Sequence, residues 1–532
     1  MTTRRDLLTA ALAGGAAWVA PGWLGSARAQ GAGGTTLRIG MAAPNTTLDP
    51  HLLSNTPNNA VSAHIFDSLI VNNEVARSVP GLAESWTRED DTHWTFKLRD
   101  VRFSDGAPFT AEDAIISIRR ATDLPSAASF RTYTRSIKEM TAVDPHTLRI
   151  ETRAPDPLLL NSIGRVRVIS AKYKDAPSAE FNAGRAAIGT GPYILREYIP
   201  GNRITLARND NWWGGRTPWE TVILRMVTDD AARLAGLLSG DLDIIEAVSS
   251  ANTDRVRSDQ RLHLIRGISA RFVYLGMDMV NDVSPFIQGM DGRPLTTNPL
   301  KDLRVRQALS LGINRQAMVE RVMEGDAVIA GQFLPKGGPG TDPTLDPPPF
   351  DPNRARALLA EAGYPRGFRL TVHGPNDRYI NDAKIVQAVA QMFTRIGLEA
   401  RAEVMPWSTY AGRNNLRTEH SVFLGAWGVN TGETSNPMSA LAATKDQEAG
   451  LGVSNGGRYS NPEVDRRLKE ALRTMDDTRR NALLGEASGI LFRDVGLIPL
   501  HHEVSVWGAR RGVGYVARAD QSTLATGVTK EG

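Results

Sequence analysis

The chain has no cysteine in its 532 residues. That removes disulfides, thiol nucleophiles and thiolate metal sites. It also removes any lipid-modified N-terminal Cys, so the mature protein is expected to diffuse freely, and without disulfides its stability has to come from large packed cores. Aromatic residues are sparse. A surplus of one charge is lacking too: 62 basic and 58 acidic residues give a formal charge of +4. No basic cluster sits on one element, which speaks against a nucleic-acid partner. After residue 29 no apolar run approaches the roughly 20 residues a membrane-spanning helix needs. A chain this long exceeds what one core supports, so two or three domains are expected.

What is present starts at the N-terminus. Thr3-Arg4-Arg5-Asp6-Leu7-Leu8 places paired arginines before an apolar stretch, and Ala27-Arg28-Ala29 offers small residues to a peptidase. That order is the order of an export signal, and the arginine pair resembles the twin-arginine variant. Leu7 to Ala20 is short, rich in Ala and Gly, and broken by Pro21-Gly22. Cleavage before Gln30 is therefore expected, not anchoring. Loss of residues 1–29 removes three arginines and one aspartate and takes the formal charge from +4 to +2.

Beyond a Gly-rich leader, Leu37 to Met41 reads as a strand. Thr56 before Pro57 reads as an N-cap with proline at the first helical position, opening a helix to about Leu69. Trp94, Phe96 and Leu98 alternate with polar residues, as in a strand with one buried side. Thr110-Ala111-Glu112-Asp113 has a capping-box pattern. Ala142 to Thr152 reads as a strand entered through an Asp144-Pro145 turn. Gly189-Thr190-Gly191-Pro192-Tyr193 punctuates the chain before the alternation through Ile204 and Leu206. Asp229 to Ser239 reads as a helix stopped by Gly240, and Leu242 to Ile245 as a buried strand. Helical periodicity returns from Leu303. A helix opened by Asp351-Pro352 and closed by Gly363 follows, then a strand at Phe368 to Val372, a helix at Asp382 to Ile396 and an extended run at Leu398 to Val404. Asn461-Pro462 opens helices to about Arg493, and Gly496 to His501 is a late apolar strand. Pro339 to Pro352 reads as an exposed loop, and no short-period repeat is evident. Helices and strands interleave in both halves, which gives α/β lobes.

Catalytic furniture is thin. Gly452-Val453-Ser454-Asn455-Gly456 fits G-x-S-x-G, but a nucleophile elbow needs a strand before it and a helix after it; the flanks here read as loop, and the match as chance. Phosphate-loop and H-E-x-x-H patterns are absent. His501-His502 is the only histidine pair, and neighbours on a strand point to opposite faces. One buried and one exposed histidine is expected there, not a metal site. No catalytic residue, metal or cofactor is assigned. A secreted hydrolase using Ser454 or a carboxylate pair stays as the rival reading, with a periplasmic chaperone or receptor accessory as a third.

Several segments resemble one family. Pro80-Gly81-Leu82-Ala83-Glu84-Ser85-Trp86, Trp94-Thr95-Phe96-Lys97-Leu98-Arg99 and Phe103-Ser104-Asp105-Gly106-Ala107-Pro108-Phe109-Thr110-Ala111-Glu112-Asp113 are similar to the signature of the periplasmic dipeptide/oligopeptide-binding proteins, the solute-binding subunits of ABC importers. Gly189 to Tyr193, Arg304-Val305-Arg306-Gln307-Ala308-Leu309 and Tyr459-Ser460-Asn461-Pro462-Glu463-Val464-Asp465 match further family segments in the right order. The resemblance implies an α/β, two-lobed type II periplasmic-binding-protein (Venus-flytrap) fold with an extra subdomain on lobe one. It divides the chain into a signal at 1–29, lobe one at 30–70, 188–277 and 503–532, the subdomain at 71–187 and lobe two at 278–502. The crossings fall near Tyr274 to Asp278 and Leu500 to Val504, and hinged closure on a ligand is expected. The implied partners are a small solute, a short peptide or peptide-like molecule, and an inner-membrane ABC permease. A periplasmic monomer without a nucleic-acid partner is expected.

The resemblance also marks ligand-side positions. Ser54, Asn55 and Thr56 match a segment that pairs with extended peptide backbone, and Trp407 and Trp427 match two cleft tryptophans. Tyr274, Asn376 and Arg413 are further candidates. Asn430 stands where many peptide-binding relatives carry an Asp for the α-ammonium, and Leu424 where some carry an Arg for ligand carboxylate. An opine, a modified peptide, a sugar oligomer or a metal chelate therefore remain alternatives to a free-amine peptide. Glu433 supplies the missing anion if its loop turns inward; otherwise it is an exposed loop carboxylate.

Overall fold

The computed structural model describes residues 35–126, 130–417, 419–429 and 431–531. The expected signal segment at 1–29 and Asn430 lie outside the described residues. The centre is a mixed twelve-stranded sheet. Its strands nearest the site are β1 (Thr36–Met41), β2 (Leu262–Met277), β3 (Arg369–Pro375), β4 (Glu399–Met405), β5 (Val422–Gly428) and β6 (Ile498–Arg510). β2 and β6 pair antiparallel along most of their lengths. On one side, β2 pairs with β5, which pairs with β3, and β3 with β4. On the other, β6 leads through Ile244–Ile245 to β1 and the strands beyond it.

One sheet thus runs through two cores. Leu37, Ile39, Val222, Leu224 and Trp507 pack in the first. Val273, Leu275, Val372, Val386, Leu424 and Ile498 pack in the second. The β2–β6 register slips between Ile268 and Phe272, and again between Val273 and Tyr274. Irregularities of this kind bend a strand and increase its twist, and the change of core falls there. A third core lies in residues 69–168, where a four-stranded antiparallel sheet packs on the helix Ala111–Asp123. Trp94, Phe96 and Leu98 are buried, as their alternation implies. The Asp113 carboxylate accepts from the backbone N–H and the hydroxyl of Thr110 at 2.8 and 3.1 Å.

Four readings need correction. The cap of α1 (Thr56–Ile65) is Asn55, whose side chain accepts from the Asn58 amide. The helix stops at Ile65 because its carbonyl is taken by the Gly191 amide at 3.0 Å. A Cβ on Gly189 would stand 2.0 Å from that same oxygen, so the Gly-Thr-Gly run is what lets the two segments touch. The Asp144-Pro145 turn does not enter one strand; it joins two, Ile137–Asp144 and Thr147–Thr152. Finally, His501 and His502 are both buried. β6 lies inside the sheet, paired to β2 and to Ala327–Ile329, and both of its faces are covered.

Candidate functional site

β3 runs parallel to β4 and β5, so three strands end side by side. In open α/β sheets, ligands sit in the crevice outside such carboxyl ends. The chain leaving β3 supplies Asn376, Arg378 and Tyr379 before α2 (Asp382–Arg395). The chain leaving β4 supplies Trp407, the first residue of α3 (Trp407–Arg417), and β5 carries Trp427 near its end.

Arg378 and Tyr379 were not picked out from the sequence. The Arg378 guanidinium lies 5.4 Å from the Trp407 ring centroid and 5.8 Å from that of Tyr379, and the two rings meet edge to face at 6.0 Å. Asp382 anchors this turn to α2 by accepting from the backbone N–H groups of Arg378 and Tyr379. Among the described residues no carboxylate forms an ion pair with Arg378, which is exposed. A strand-to-helix turn carrying Arg-Tyr before Asp382 was the available signal.

Nearby, Arg271 of β2 and the buried Glu503 of β6 pair at 3.2 Å, with Gln521 bonded to both. Burial raises the Glu503 carboxyl pKa, while Arg271 and Arg378 pull it down. Two guanidiniums therefore act on one buried carboxylate. Tyr274 lies against Gly425, its register partner on β5. A Cβ at 425 would stand 2.5 Å from Tyr274 Cζ, so only glycine leaves room for the ring. Burial raises the phenol pKa values of Tyr274, Tyr379 and Tyr410, which stay neutral.

The half-buried Trp427 donates from Nε1 to Asn436 at 2.7 Å. It shares the face of β5 that carries Phe423 and Gly425, and Trp407 packs against Phe423. Tyr274, Trp407 and Trp427 are thus brought to one side of the sheet. Asn376 is exposed at the end of β3, its amide donating to the Met405 carbonyl. Arg413 lies further along α3, 3.7 Å from Glu403, and is not drawn into the aromatic cluster. Leu424 is fully buried. Glu433 is no exposed loop carboxylate: it is buried and pairs with Arg480 at 3.0 Å. Ser54 is half-buried, and the exposed Thr56 borders a cavity of about 320 Å³ with Arg167, Arg518 and Asp520. Beside it Asp67, accepting from Trp213 Nε1 at 2.8 Å, is pushed up to about 6 by burial. Ser454 sits in a turn with loop on both sides, its amide bonded to the Ala440 carbonyl, without the strand–turn–helix geometry of an elbow. Among the described residues there is no group of three His, Cys, Asp or Glu able to hold a metal.

The family described as "Bacterial extracellular solute-binding proteins, family 5 Middle" matches residues 77–449. The chain belongs to family 5. Family 5 relatives include heme-binding protein A of Haemophilus influenzae, 26% identical over 85% of this chain and 84% of that one. The glutathione-binding protein GsiB of Escherichia coli is 27% identical, with 86% of each chain covered. Among solved structures, HbpA2 from Haemophilus parasuis superposes with a TM-score of 0.79 at 23% identity, covering 93% of this chain and all of that one. DppA from Helicobacter pylori in complex with peptide STSA gives 0.73 at 22%, covering 93% and 98%. The type II periplasmic-binding-protein fold expected of family 5 is the fold observed. Among the described residues no helix is long and apolar enough to cross a membrane.

Proposed function

We propose that the protein is the solute-capturing subunit of an ABC importer, working in the periplasm on a peptide or peptide-like solute that carries a carboxylate. The observation that carries this reading is Arg378, a cation without an ion-pair partner among the described residues, laid against Trp407 and Tyr379 at the mouth of three strand ends. A guanidinium is built to bind a carboxylate through two parallel hydrogen bonds, and the aromatic faces cover the apolar part of a solute. Glutathione in the name of one relative and the peptide bound to one related structure agree with that chemistry. The lobes keep the boundaries given above, and closure bends the sheet where the β2–β6 register slips. Export uses residues 1–29 through Arg4 and Arg5.

Titration calorimetry with trialanine and trialanine amide tests the assignment. A hydrogen bond to a charged group contributes about 1.5–3 kcal/mol, roughly 10- to 100-fold in Kd. The acid should bind more tightly than the amide by that factor, and Arg378→Gln should erase the difference without changing thermal stability. Equal binding of acid and amide by the native protein would refute the role of Arg378.

A further inference from the structure

The cavity of about 320 Å³ that Thr56 borders is tied to the surroundings of Arg378 by one loop, residues 518–524. Gln521 in that loop bonds to Arg271 and to Glu503, while Arg518, Asp520, Ser522 and Leu524 line the cavity. The chain after Trp427 reaches the rim from the other direction. A Cβ on Gly432 would stand 2.8 Å from the carbonyl oxygen of Ala76, which is a rim residue.

Six charged side chains line this cavity. Arg518 pairs with Asp520 at 2.8 Å and with Glu74 at 3.9 Å, and Arg165 lies 5.9 Å from the Tyr133 ring centroid. The other two, Asp67 and Arg167, form no ion pair among the described residues. Asp67, only 6% exposed, accepts from the Thr190 hydroxyl and from Nε1 of Trp212 and Trp213, at 3.1, 3.3 and 2.8 Å. All three bonds fall on Oδ2, and Oδ1 accepts none. The half-buried Arg167 makes one long side-chain bond, from Nη1 to the Ser68 hydroxyl at 3.4 Å. Neither Asp67 Oδ1 nor the remaining Arg167 nitrogens belong to the polar atoms sealed from solvent, so both groups are open to an occupant. Burial lowers the Arg167 pKa to about 10 and the charge of Asp67 raises it, so the two groups sense each other without closing to a salt bridge. Buried charges are ordinarily paired. A cation and an anion left unpaired at one cavity call for a ligand that carries both signs.

We propose that this cavity takes an α-amino-acid head group with its ammonium and its carboxylate both free, the ammonium at Asp67 and the carboxylate at Arg167. Such a head carries both charges on one carbon and brings no net charge to a cavity whose three guanidiniums and three carboxylates balance. An ammonium only donates and a carboxylate only accepts, so the orientation is fixed. A volume near the lower end of small-molecule sites suits a head group and not a whole peptide. Asn430 brings no charge for an ammonium, and Glu433 and Glu503 are held by Arg480 and Arg271. Asp67 is a buried carboxylate with an oxygen still open. The proposal rests on the peptide-like reading above and deepens it: a second carboxylate of the same solute meets Arg378, so the head is joined to the rest through its side chain, as in a γ-glutamyl peptide.

Titration calorimetry of the intact protein with three ligands tests this: γ-glutamylalanine, glutarylalanine, which lacks only the ammonium, and the α-carboxamide of γ-glutamylalanine, which lacks only the head carboxylate. The first should bind about 10- to 100-fold more tightly than either of the others. Asp67→Asn should erase its preference over glutarylalanine, and Arg167→Gln its preference over the carboxamide. Arg378→Gln should weaken all three alike. Equal binding of the three ligands, still weakened by Arg378→Gln, overturns the head-group site and spares the reading of Arg378. Binding of none of them overturns both. Should Asp67→Asn or Arg167→Gln fold poorly, unsubstituted protein labelled with 5-fluorotryptophan decides the matter. The fluorine signals of Trp212 and Trp213, assigned by Trp212→Phe and Trp213→Phe, should shift on adding γ-glutamylalanine. Binding that leaves both signals in place overturns the proposal.

Discussion

Acid should unfold this protein well above the pH at which its carboxylates protonate. Burial holds His51, His64 and His502 down to about 4 and His420 and His501 to about 3. Two of them are fixed as neutral by their partners. His64 holds the Ala60 carbonyl with Nδ1, while Nε2 accepts from the Ala525 amide at 3.0 Å. His51 holds the Arg167 carbonyl with Nε2, while Nδ1 faces the Arg120 guanidinium at 3.1 Å. Adding a proton removes the acceptor in the first case and sets cation against cation in the second. The unfolded chain takes these protons near 6.5. The stabilisation is therefore complete above pH 6.5 and is lost as pH falls through the window down to about 4. Linkage gives a loss of about 2 kcal/mol per histidine by pH 5. His51 and His64 alone lose about 4 kcal/mol, against a total stability of roughly 5–15 kcal/mol. Asp67 acts with the opposite sign: raised to about 6 in the fold, it gains about 1 kcal/mol over the same interval. Urea unfolding at pH 7.5, 6 and 5 measures the net slope, and His64→Gln should lower it by about one proton, near 1.4 kcal/mol per pH unit. Stability that stays level from pH 7 to 5 would refute the assignment of neutral buried histidines.

Glu433→Gln should cost about 1–3 kcal/mol, because it takes the buried carboxylate from Arg480 and leaves that guanidinium only the exposed Asp477 at 2.7 Å; a Glu433→Met, Arg480→Leu double variant should recover most of that in urea unfolding. Gly425→Ala should displace the Tyr274 ring, costing about 1–3 kcal/mol by overpacking and weakening solute binding in calorimetry. A variant with normal stability and affinity would show that the ring moves freely. Replacing Arg4 and Arg5 together by lysine should leave uncleaved precursor in the cytoplasm, seen by fractionation, whereas normal export would rule out the twin-arginine route.

Local chemistry was the legible part of the fold. Asp351 and Asn461 cap the helices they were expected to open, because capping is decided within four residues. The alternation at Trp94 to Leu98 is likewise a property of one strand. What the sequence did not show was decided by partners more than a hundred residues away. His502 is buried because Val328 pairs beside it, and α1 ends early because Gly191 arrives at Ile65. The site divides in the same way. Tryptophans 407 and 427 stand out as rare residues in a familiar pattern. Arg378 is one arginine among many until the turn after β3 sets it on Trp407. Glu433 gave no sign of its partner, since Arg480 lies on a helix 47 residues away.

These positions also bear on how closure is balanced. Polar contacts across the proposed cleft include Asn381 to Ser250, Asn161 to Thr431, Arg88 to Met475 and the ion pair of Arg266 with Asp326 at 2.7 Å. Each hydrogen bond contributes about 1 kcal/mol. The apolar clusters meet at their margins, with Met475 against the third core and Ala519 against the one built on Phe272 and Leu483. On the proposed two-lobe reading, a solute shifts the balance between an open and a closed form by the difference in its affinity for the two. On that reading Arg378 and Trp407 stand on one side of the register slip and Thr56 on the other, and contact of one solute with all three would require closure.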